Sequence, residues 1–229
     1  MTYVVSNLYG RLDKFEKLIK KINLKDSDLL YVLGNIVDYG EESIELVNDL
    51  SSRYNVYSVL GEHDYKAYLL LSEFDRIIKE GGAPSAGFSK EMIEWAQNGG
   101  QPTLEAFKSA DADAKEGFLD YLSDLPVFEE ADVKGKQYIL TCRGIADFDQ
   151  SKDLYNYELD SFINGYLDIE KTYFDDKTMV VGYLDYEHTP AGRAGKVNAK
   201  SNNIALSCDM SENDDIVCVC LETGDEYYV

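Results

Sequence analysis

The stretch DLLYVLGNIVDYG, residues 28–40, decides the fold. Its first six residues are mostly apolar, which is the length and composition of a buried strand, and Gly34 ends the run. A short polar turn containing Asn35 and Asp38 follows, and Glu41–Leu50 then has apolar residues at helical spacing. The stretch is therefore predicted to be a strand that passes through a polar turn into a helix.

The same unit occurs on both sides of this stretch. Tyr3–Ser6 is a short apolar run, followed by a turn at Gly10 and by apolar residues at helical spacing up to Ile22. Asn55–Leu60 is a third strand-like run, and it ends at Gly61. Strands that alternate with helices over short connections are typically parallel and joined by right-handed crossovers, so we predict an α/β fold.

The rest of the chain is predicted to be helical first and then rich in strands. Residues from about 82 to 125 are expected to form a helical insertion or cap over one end of the sheet, within a single domain of residues 1–229. Leu154–Ile163 is expected to be a helix. Strands are predicted at Val127–Val133, Gln137–Thr141, Thr178–Val181, Val197–Lys200, Ile204–Cys208, Ile216–Leu221 and Glu226–Val229.

The composition excludes some classes of partner. Lys and Arg total 22 against 43 Asp and Glu, a formal net charge of −21, so this acidic protein is expected to bind neither nucleic acid nor anionic membranes. We see no signal peptide and no membrane span, and none of the four cysteines forms a CxxC pair. These features favour a cytoplasmic protein with buried thiols.

Five predicted strands end in short polar or glycine-containing motifs. In an open α/β sheet, ligands bind beyond the carboxyl ends of the strands, so five such motifs predict one composite site. Ordinary turns explain any single motif but not the ordered set. The motifs are Ser6–Gly10 (SNLYG), Gly34–Gly40 (GNIVDYG), Gly61–Asp64 (GEHD), Thr141–Gly144 (TCRG) and Gly182–Tyr183.

The order and spacing of these motifs resemble the calcineurin-like metallophosphoesterase family, close to its bacterial Ser/Thr phosphatase branch. That family carries DxHG, GDxxDRG, GNH[DE], a His in a THAG-like turn, and a GH motif. The resemblance covers nearly the whole chain. It implies an αββα sandwich of two mixed β-sheets flanked by helices, and two Mn, Fe or Zn ions held by two Asp, one Asn and three His.

All six ligand positions implied by the resemblance are substituted in this chain. Asn7 and Asn35 occupy positions where the family has Asp, and Glu62 occupies that of its Asn. The three positions of the family's His ligands carry Tyr9, Cys142 and Tyr183. The motif residues that survive are Asp38, His63 and Asp64. In the family, this His protonates the leaving group and the Asp after it orients the ring.

Other positions near the motifs have weaker assignments. The phosphate-clamping Arg of the second family motif falls on Tyr39. His188, in Glu187–Pro190 (EHTP), is an alternative to Tyr183 for the last ligand position. Arg143 and Arg193 are candidates to bind an anion in the crevice, although each is also explained as a surface Arg.

These substitutions predict a metal-free site. Two changes from Asp to Asn remove two negative charges from a site that must hold about four positive ones, and a protonated phenol is a poor replacement for imidazole. We therefore expect no cofactor and a catalytically inactive pseudophosphatase that binds a protein, a phosphate group or another small molecule. The alternatives are an engineered variant and a rebuilt phosphoesterase in which Glu62, Cys142 and His63 hold one zinc or iron.

Overall fold

A computed structural model describes residues 1–184, 195–206 and 215–229. Its first sheet has five strands in the order β10-β9-β1-β2-β3, with β1–β2 and β2–β3 parallel and β9 antiparallel to both β1 and β10. These strands are β1 Thr2–Val5, β2 Leu29–Leu33, β3 Val56–Val59, β9 Val217–Cys220 and β10 Glu226–Tyr228. The parallel pairs confirm the predicted strand–helix alternation.

The two crossover helices cover one face of this sheet. Helix α1, Leu12–Ile22, joins β1 to β2, and helix α2, Ser43–Ser52, joins β2 to β3. Phe15 and Leu18 of α1 and Leu46 of α2 are fully buried in the cluster that fills the space between helices and sheet. The apolar stripes that predicted the two helices are therefore the faces that pack on the sheet.

A run of helices follows β3. It consists of α3 Glu62–Glu80, α4 Phe88–Trp95, a kink within Ala96–Gly100 where Asn98 and Gly99 leave the helical conformation, α5 Gln101–Ser109 and α6 Ala112–Asp124. The stretch predicted to be helical is therefore helical from residue 88 onward. Among the described residues, no helix combines the length and apolarity needed to cross a bilayer.

The second sheet also has five strands, in the order β4-β5-β6-β8-β7. The hairpin of β4 and β5 is antiparallel, as predicted, whereas β5–β6 and β6–β8 are parallel and β7–β8 is antiparallel. These strands are β4 Phe128–Val133, β5 Lys136–Thr141, β6 Lys177–Val181, β7 Val197–Lys200 and β8 Asn203–Leu206. Two mixed sheets confirm the predicted fold class.

The helix predicted at Leu154–Ile163 is wrong as a continuous element. The segment forms a 3-10 turn at Leu154–Asn156 and a short helix α7, Leu159–Ile163. Tyr157 separates them in an extended conformation. Its hydroxyl accepts a hydrogen bond from the backbone N–H of Asp149 at 2.7 Å, which fixes the ring away from the helical path.

The two sheets pack face to face. Leu33 and Val4 of the first sheet share a buried cluster with Leu140 and Val180 of the second. A third cluster, which includes Phe162 of α7, covers the outer face of the second sheet. The layers are therefore helix, sheet, sheet and helix, and the carboxyl ends of β1, β2, β3, β5 and β6 lie together at one edge, the place of the predicted crevice.

Candidate functional site

Main-chain hydrogen bonds tie the predicted motifs together at this crevice. The backbone N–H of Asn7 donates to the carbonyl of Gly34 at 3.2 Å, which joins the ends of β1 and β2. The backbone N–H of Tyr183 donates to the carbonyl of Cys142 at 2.8 Å, which joins the ends of β6 and β5. The hydroxyl of Ser6 donates to the carbonyl of Gly182 at 2.6 Å and so links the two sheets. These bonds bring four of the five motifs together, and the fifth, Gly61–Asp64, joins them through Asp64, whose Oδ1 accepts from the backbone N–H of Ile36.

Two glycines allow the strand ends to approach this closely. A Cβ added to Gly34, whose φ is +72°, would lie 2.7 Å from Sγ of Cys142 and 2.8 Å from Cα of Gly61. A Cβ added to Gly61 would lie 2.3 Å from the backbone nitrogen of Asn35. Neither position has room for any other residue, so the ends of β2 and β3 meet through main chain, and the side chain of Cys142 packs directly on Gly34.

The side chains of Asn7, Asn35 and Tyr9 form a hydrogen-bonded amide cluster beneath the crevice. Nδ2 of Asn35 donates to Oδ1 of Asn7 at 2.9 Å and to the hydroxyl of Tyr9 at 3.3 Å. Nδ2 of Asn7 donates in turn to the carbonyl of Gly182 at 3.0 Å and to Oγ of Ser6 at 3.1 Å. All three side chains are almost completely buried, so these bonds replace the water that a polar group requires.

The turns at the strand ends carry side chains on left-handed backbone. Asn7, Tyr9, Asn35, Asp38 and Tyr39 have φ between +47° and +76°. Asn and Asp tolerate this region, but Tyr adopts it rarely. Such conformations persist only where surrounding contacts enforce them, and they concentrate at functional sites. The surrounding contacts therefore hold these five residues in conformations that their side chains disfavour.

His63 is held by Asp38. Nδ1 of His63 lies 2.8 Å from Oδ2 of Asp38, and Nδ1 is the donor because an ionised carboxylate only accepts. The same oxygen accepts a hydrogen bond from Nε1 of Trp95 at 2.9 Å. Burial alone would lower the pKa of His63, but the hydrogen bond and negative charge of Asp38 outweigh it, and the pKa is raised above 6.5.

Asp64 does not orient the ring of His63, contrary to the expectation from the resemblance. Oδ1 accepts hydrogen bonds from the backbone N–H groups of Ile36 and Val37, and Oδ2 accepts one from the N–H of Gly61. The side chain is fully buried, and burial raises its pKa to about 6 against the opposing effect of these three donors. The buried carboxylate of Asp64 therefore links the turns that follow β2 and β3.

Three rings line one wall of the crevice. The rings of Tyr9 and His63 meet edge to face with centroids 5.4 Å apart, and Tyr39 contacts both, at 5.1 Å from Tyr9 and 5.3 Å from His63. Tyr39 is 43% exposed, so it forms the open rim of this wall. Tyr9 and Tyr39, which replace a His ligand and the clamping Arg of the resembling family, therefore pack on the one His that survives.

We call the ion pair between Arg143 and Glu62 the second wall of the site. Nη1 of Arg143 lies 2.6 Å from Oε2 of Glu62, and the guanidinium also lies 5.2 Å from the centroid of the Tyr183 ring. Arg143, predicted to bind an anion, is thus already engaged with a carboxylate. Tyr183 directly follows β6, as expected for the last motif. His188 and Arg193 lie outside the described residues.

Cys142 is a buried thiol beneath this wall. It is only 2% exposed, and burial raises its pKa well above the ordinary value of 9.0. A thiolate is the form that attacks electrophiles or binds metals, so this environment disfavours both roles.

The donor set does not fit two metal ions. The amide nitrogen of Asn35 is directed at Oδ1 of Asn7, so the two positions of the family's Asp ligands satisfy each other. Glu62 has its charge compensated by Arg143, and Cys142 is held as a neutral thiol. Within residues 1–184, 195–206 and 215–229, no three His, Cys, Asp or Glu side chains are grouped as a metal site. Glu62, Cys142 and His63, the set predicted to hold a single metal ion, are among these described residues and are not grouped in this way.

Trp95 and Thr103 were not recognised as site residues from the sequence. The hydroxyl of Thr103 accepts a hydrogen bond from the backbone N–H of Asp38 at 2.9 Å, and Trp95 reaches the side chain of the same residue. Both come from the helical region, far along the chain from the strand ends. One sequence feature could have drawn attention to Trp95: it is the single tryptophan of the chain, and it lies four residues before a Gly-Gly pair.

Comparison with known proteins agrees with this geometry. The model of the calcineurin-like phosphoesterase family matches residues 2–206. An uncharacterized protein of Methanocaldococcus jannaschii is 27% identical over 144 residues, 62% of this chain and 48% of that protein. A symmetrical bis(5′-nucleosyl)-tetraphosphatase of Mannheimia succiniciproducens is 33% identical over 112 residues, 45% of this chain and 38% of that protein. The chain spans less than half the length of these two relatives.

Solved structures show the same fold over the whole chain. A proposed diadenosine tetraphosphatase has a TM-score of 0.65 and 17% identity, with 100% of this chain and 92% of that chain covered. A metallophosphoesterase from Sphaerobacter thermophilus has a TM-score of 0.54 and 15% identity, with 100% and 87% covered. At these identities the likeness concerns the fold alone.

Proposed function

Because this chain belongs to the calcineurin-like phosphoesterase family, we propose that it is a member which no longer carries out two-metal phosphoester hydrolysis and which acts by binding a ligand in the old crevice. The observation that carries this proposal is the hydrogen bond from Asn35 to Asn7. It fills the place of two carboxylates with two neutral amides that bond to each other. A site arranged in this way has neither the charge nor the free oxygens that two cations need.

The charge balance of the crevice supports the same proposal. Glu62 faces Arg143, and Asp38 faces His63, whose raised pKa favours the protonated ring. Both of these carboxylates therefore have a cationic neighbour. A metal site of this family needs the opposite, which is a surplus of negative donors around the cations.

The remaining groups supply too little catalytic power without metal. Metal ions lower the pKa of bound water from near 15.7 to about 7 and so create the attacking hydroxide. His63 could still donate a proton, but general acid catalysis contributes only ~10²–10⁴ in rate. Phosphate monoester hydrolysis is among the slowest uncatalysed reactions, so this contribution leaves turnover negligible.

The ligand we propose carries phosphate, either as a small molecule or on a partner protein. His63 and Arg143 both belong to the motifs at the strand ends, and a phosphate group could bond to both if Glu62 releases Arg143. Nucleotides are the first compounds to test, because relatives of this chain are named as nucleosyl tetraphosphatases. We also propose a cytoplasmic location, which the free buried thiols of Cys142, Cys218 and Cys220 support.

The proposal is tested by elemental analysis of the purified chain, together with a phosphatase assay in the presence of Mn²⁺, Fe²⁺ or Zn²⁺. We expect no stoichiometric metal and no hydrolysis of a generic phosphate ester. Two bound transition-metal ions per chain, or metal-dependent turnover, would refute the proposal. Turnover that is lost in His63→Ala would instead favour the rebuilt single-metal enzyme.

A back-substituted variant tests the assignment of ligand positions. It carries Asn7→Asp, Tyr9→His, Asn35→Asp, Glu62→Asn, Cys142→His and Tyr183→His. We expect this variant to bind two metal ions. The matched control restores every position except Asn35, and we expect it to bind the pair far more weakly because it lacks the bridging carboxylate. Equal metal content in the two variants would contradict the assignment of Asn35.

A further inference from the structure

One side chain of the helical region contacts a residue of the site, and the family resemblance gives this side chain no role. Trp95, at the end of α4, directs its indole N–H to Oδ2 of Asp38 at 2.9 Å. It lies 4% exposed, and a Cβ on the neighbouring Gly100 would be 2.2 Å from its ring. The indole is therefore clamped against the main chain and cannot turn away from Asp38.

The two carboxylate oxygens of Asp38 differ in the hydrogen bonds that they accept. Oδ2 accepts from both Trp95 and His63, at 2.9 Å and 2.8 Å. Oδ1 is buried and has no hydrogen-bond partner within the described residues. An unpaired buried oxygen disfavours this orientation of the carboxylate, so the two bonds to Oδ2 must hold it. Of these two donors, Trp95 is the rigid one.

From this geometry we propose that Trp95 is a positioning residue for His63. Its N–H fixes Oδ2 of Asp38 at the point where that oxygen meets Nδ1 of His63, and the imidazole is thereby fixed between the rings of Tyr9 and Tyr39. The proposal goes beyond ligand binding, because the arrangement exists in the protein without a ligand.

The same helical segment also holds Tyr39 in place. The backbone N–H of Tyr39 donates to the carbonyl of Gly99 at 2.7 Å. The hydroxyl of Thr103 accepts from the N–H of Asp38 and lies 3.0 Å from Oγ of Ser43. Residues 95–103 therefore brace the turn of Asp38 and Tyr39 through main chain as well as through the indole. Trp95 is the member of this segment that acts on the imidazole.

NMR spectroscopy at constant pH tests the proposal on the ligand-free protein. All proteins carry His188→Gln, so that the one remaining imidazole is His63. Trp95→Phe keeps a buried aromatic ring but removes the N–H. Since a hydrogen bond to a charged group is worth roughly a factor of ten or more in an equilibrium, we expect the proton on Nδ1 of His63 to exchange with water at least about tenfold faster.

Phe118→Leu is the matched control, because Phe118 is a fully buried ring of α6 that packs on Phe107. We expect it to lower stability without changing the exchange of the His63 proton. An unchanged exchange rate in Trp95→Phe, or an equal increase in Phe118→Leu, would overturn the proposal.

If Trp95→Phe does not fold, a measurement on the protein that keeps Trp95 tests the same proposal. Because the chain has a single tryptophan, its indole N–H gives one resonance. We expect this proton to be strongly protected from exchange and its resonance to move in His63→Phe, which removes the second donor to Oδ2. An indole proton that exchanges as fast as free tryptophan would refute the proposal. Neither result depends on whether the crevice binds phosphate.

Discussion

The side-chain amide of Asn35 donates a hydrogen bond to Oδ1 of Asn7 across 2.9 Å, and the two residues come from the ends of neighbouring parallel strands. In an active relative with two metals, the corresponding carboxylates would repel each other unless cations lay between them. The amides remove that repulsion and add an attraction. The floor of the crevice is thus stable by itself, without any bound ion.

Restoring a single carboxylate should therefore destabilise the protein. In Asn35→Asp, a negative oxygen would face Oδ1 of Asn7, and the donor of the 2.9 Å bond would be lost. We expect the free energy of unfolding at neutral pH to fall by about 2 kcal/mol or more, since a buried, unpaired polar group costs about 1–3 kcal/mol and a charged one more. Urea denaturation measures this change. Asn48→Asp, at an exposed position of α2, is the control and should change stability little.

The pair of His63 and Asp38 should make stability depend on pH. The pKa of His63 is raised above 6.5 in the folded state, so folding favours the protonated ring. The stabilisation is fully present below pH 6.5, and it is lost as the pH rises through the folded pKa. Comparison of wild type with His63→Gln by denaturation across pH 5–9 isolates this effect. A difference in stability that grows with rising pH would contradict the assigned partner.

Two glycines in the helical region should respond in opposite directions to the same substitution. Gly99 has a φ of +103°, and an added Cβ would lie 2.6 Å from Cζ of Tyr39, so Gly99→Ala should destabilise the protein by at least about 1–3 kcal/mol. Gly117 is exposed in α6 with nothing within 4 Å of an added Cβ. Gly117→Ala should stabilise by about 0.5–1 kcal/mol, because alanine loses less backbone entropy in a helix. Thermal and urea denaturation measure both.

Cys142 should resist alkylation in the native protein. Its burial raises the pKa of the thiol and blocks access to reagent, so both the thiolate fraction and the collision rate are low. Treatment with iodoacetamide at pH 8, followed by peptide mass spectrometry, should leave Cys142 unmodified unless denaturant is present. Rapid native labelling would show that this wall of the crevice opens, and it would reinstate Cys142 as a candidate nucleophile.

The first sheet was predictable from the sequence because local patterns specify it. Apolar runs such as residues 28–33 mark strands, and helical spacing marks the crossovers between them. The continuous helix at Leu154–Ile163 was wrong because a tertiary contact, the hydrogen bond between Asp149 and the Tyr157 hydroxyl, overrides helical spacing. Short apolar segments carry too little information to resist such contacts.

The site was predictable where residues follow their own strands. Asn7, Asn35 and Glu62 lie at strand ends, so sheet topology brings them together. The family resemblance implied that Asp64 orients His63, but consecutive side chains diverge at the start of a helix, and Asp64 accepts from backbone N–H groups instead. Trp95 could not be assigned, because its approach to Asp38 depends on how the helices fold back over the sheet.

The bare contact between Gly34 and Gly61 has a wider consequence. At this contact the ends of β2 and β3 approach each other with no side chain between the two glycines, whereas β5 meets Gly34 through the side chain of Cys142. The packing of these strand ends can therefore be kept while the residues at the ligand positions change. A lineage can exchange the groups that once performed the chemistry and still inherit the same meeting of strand ends.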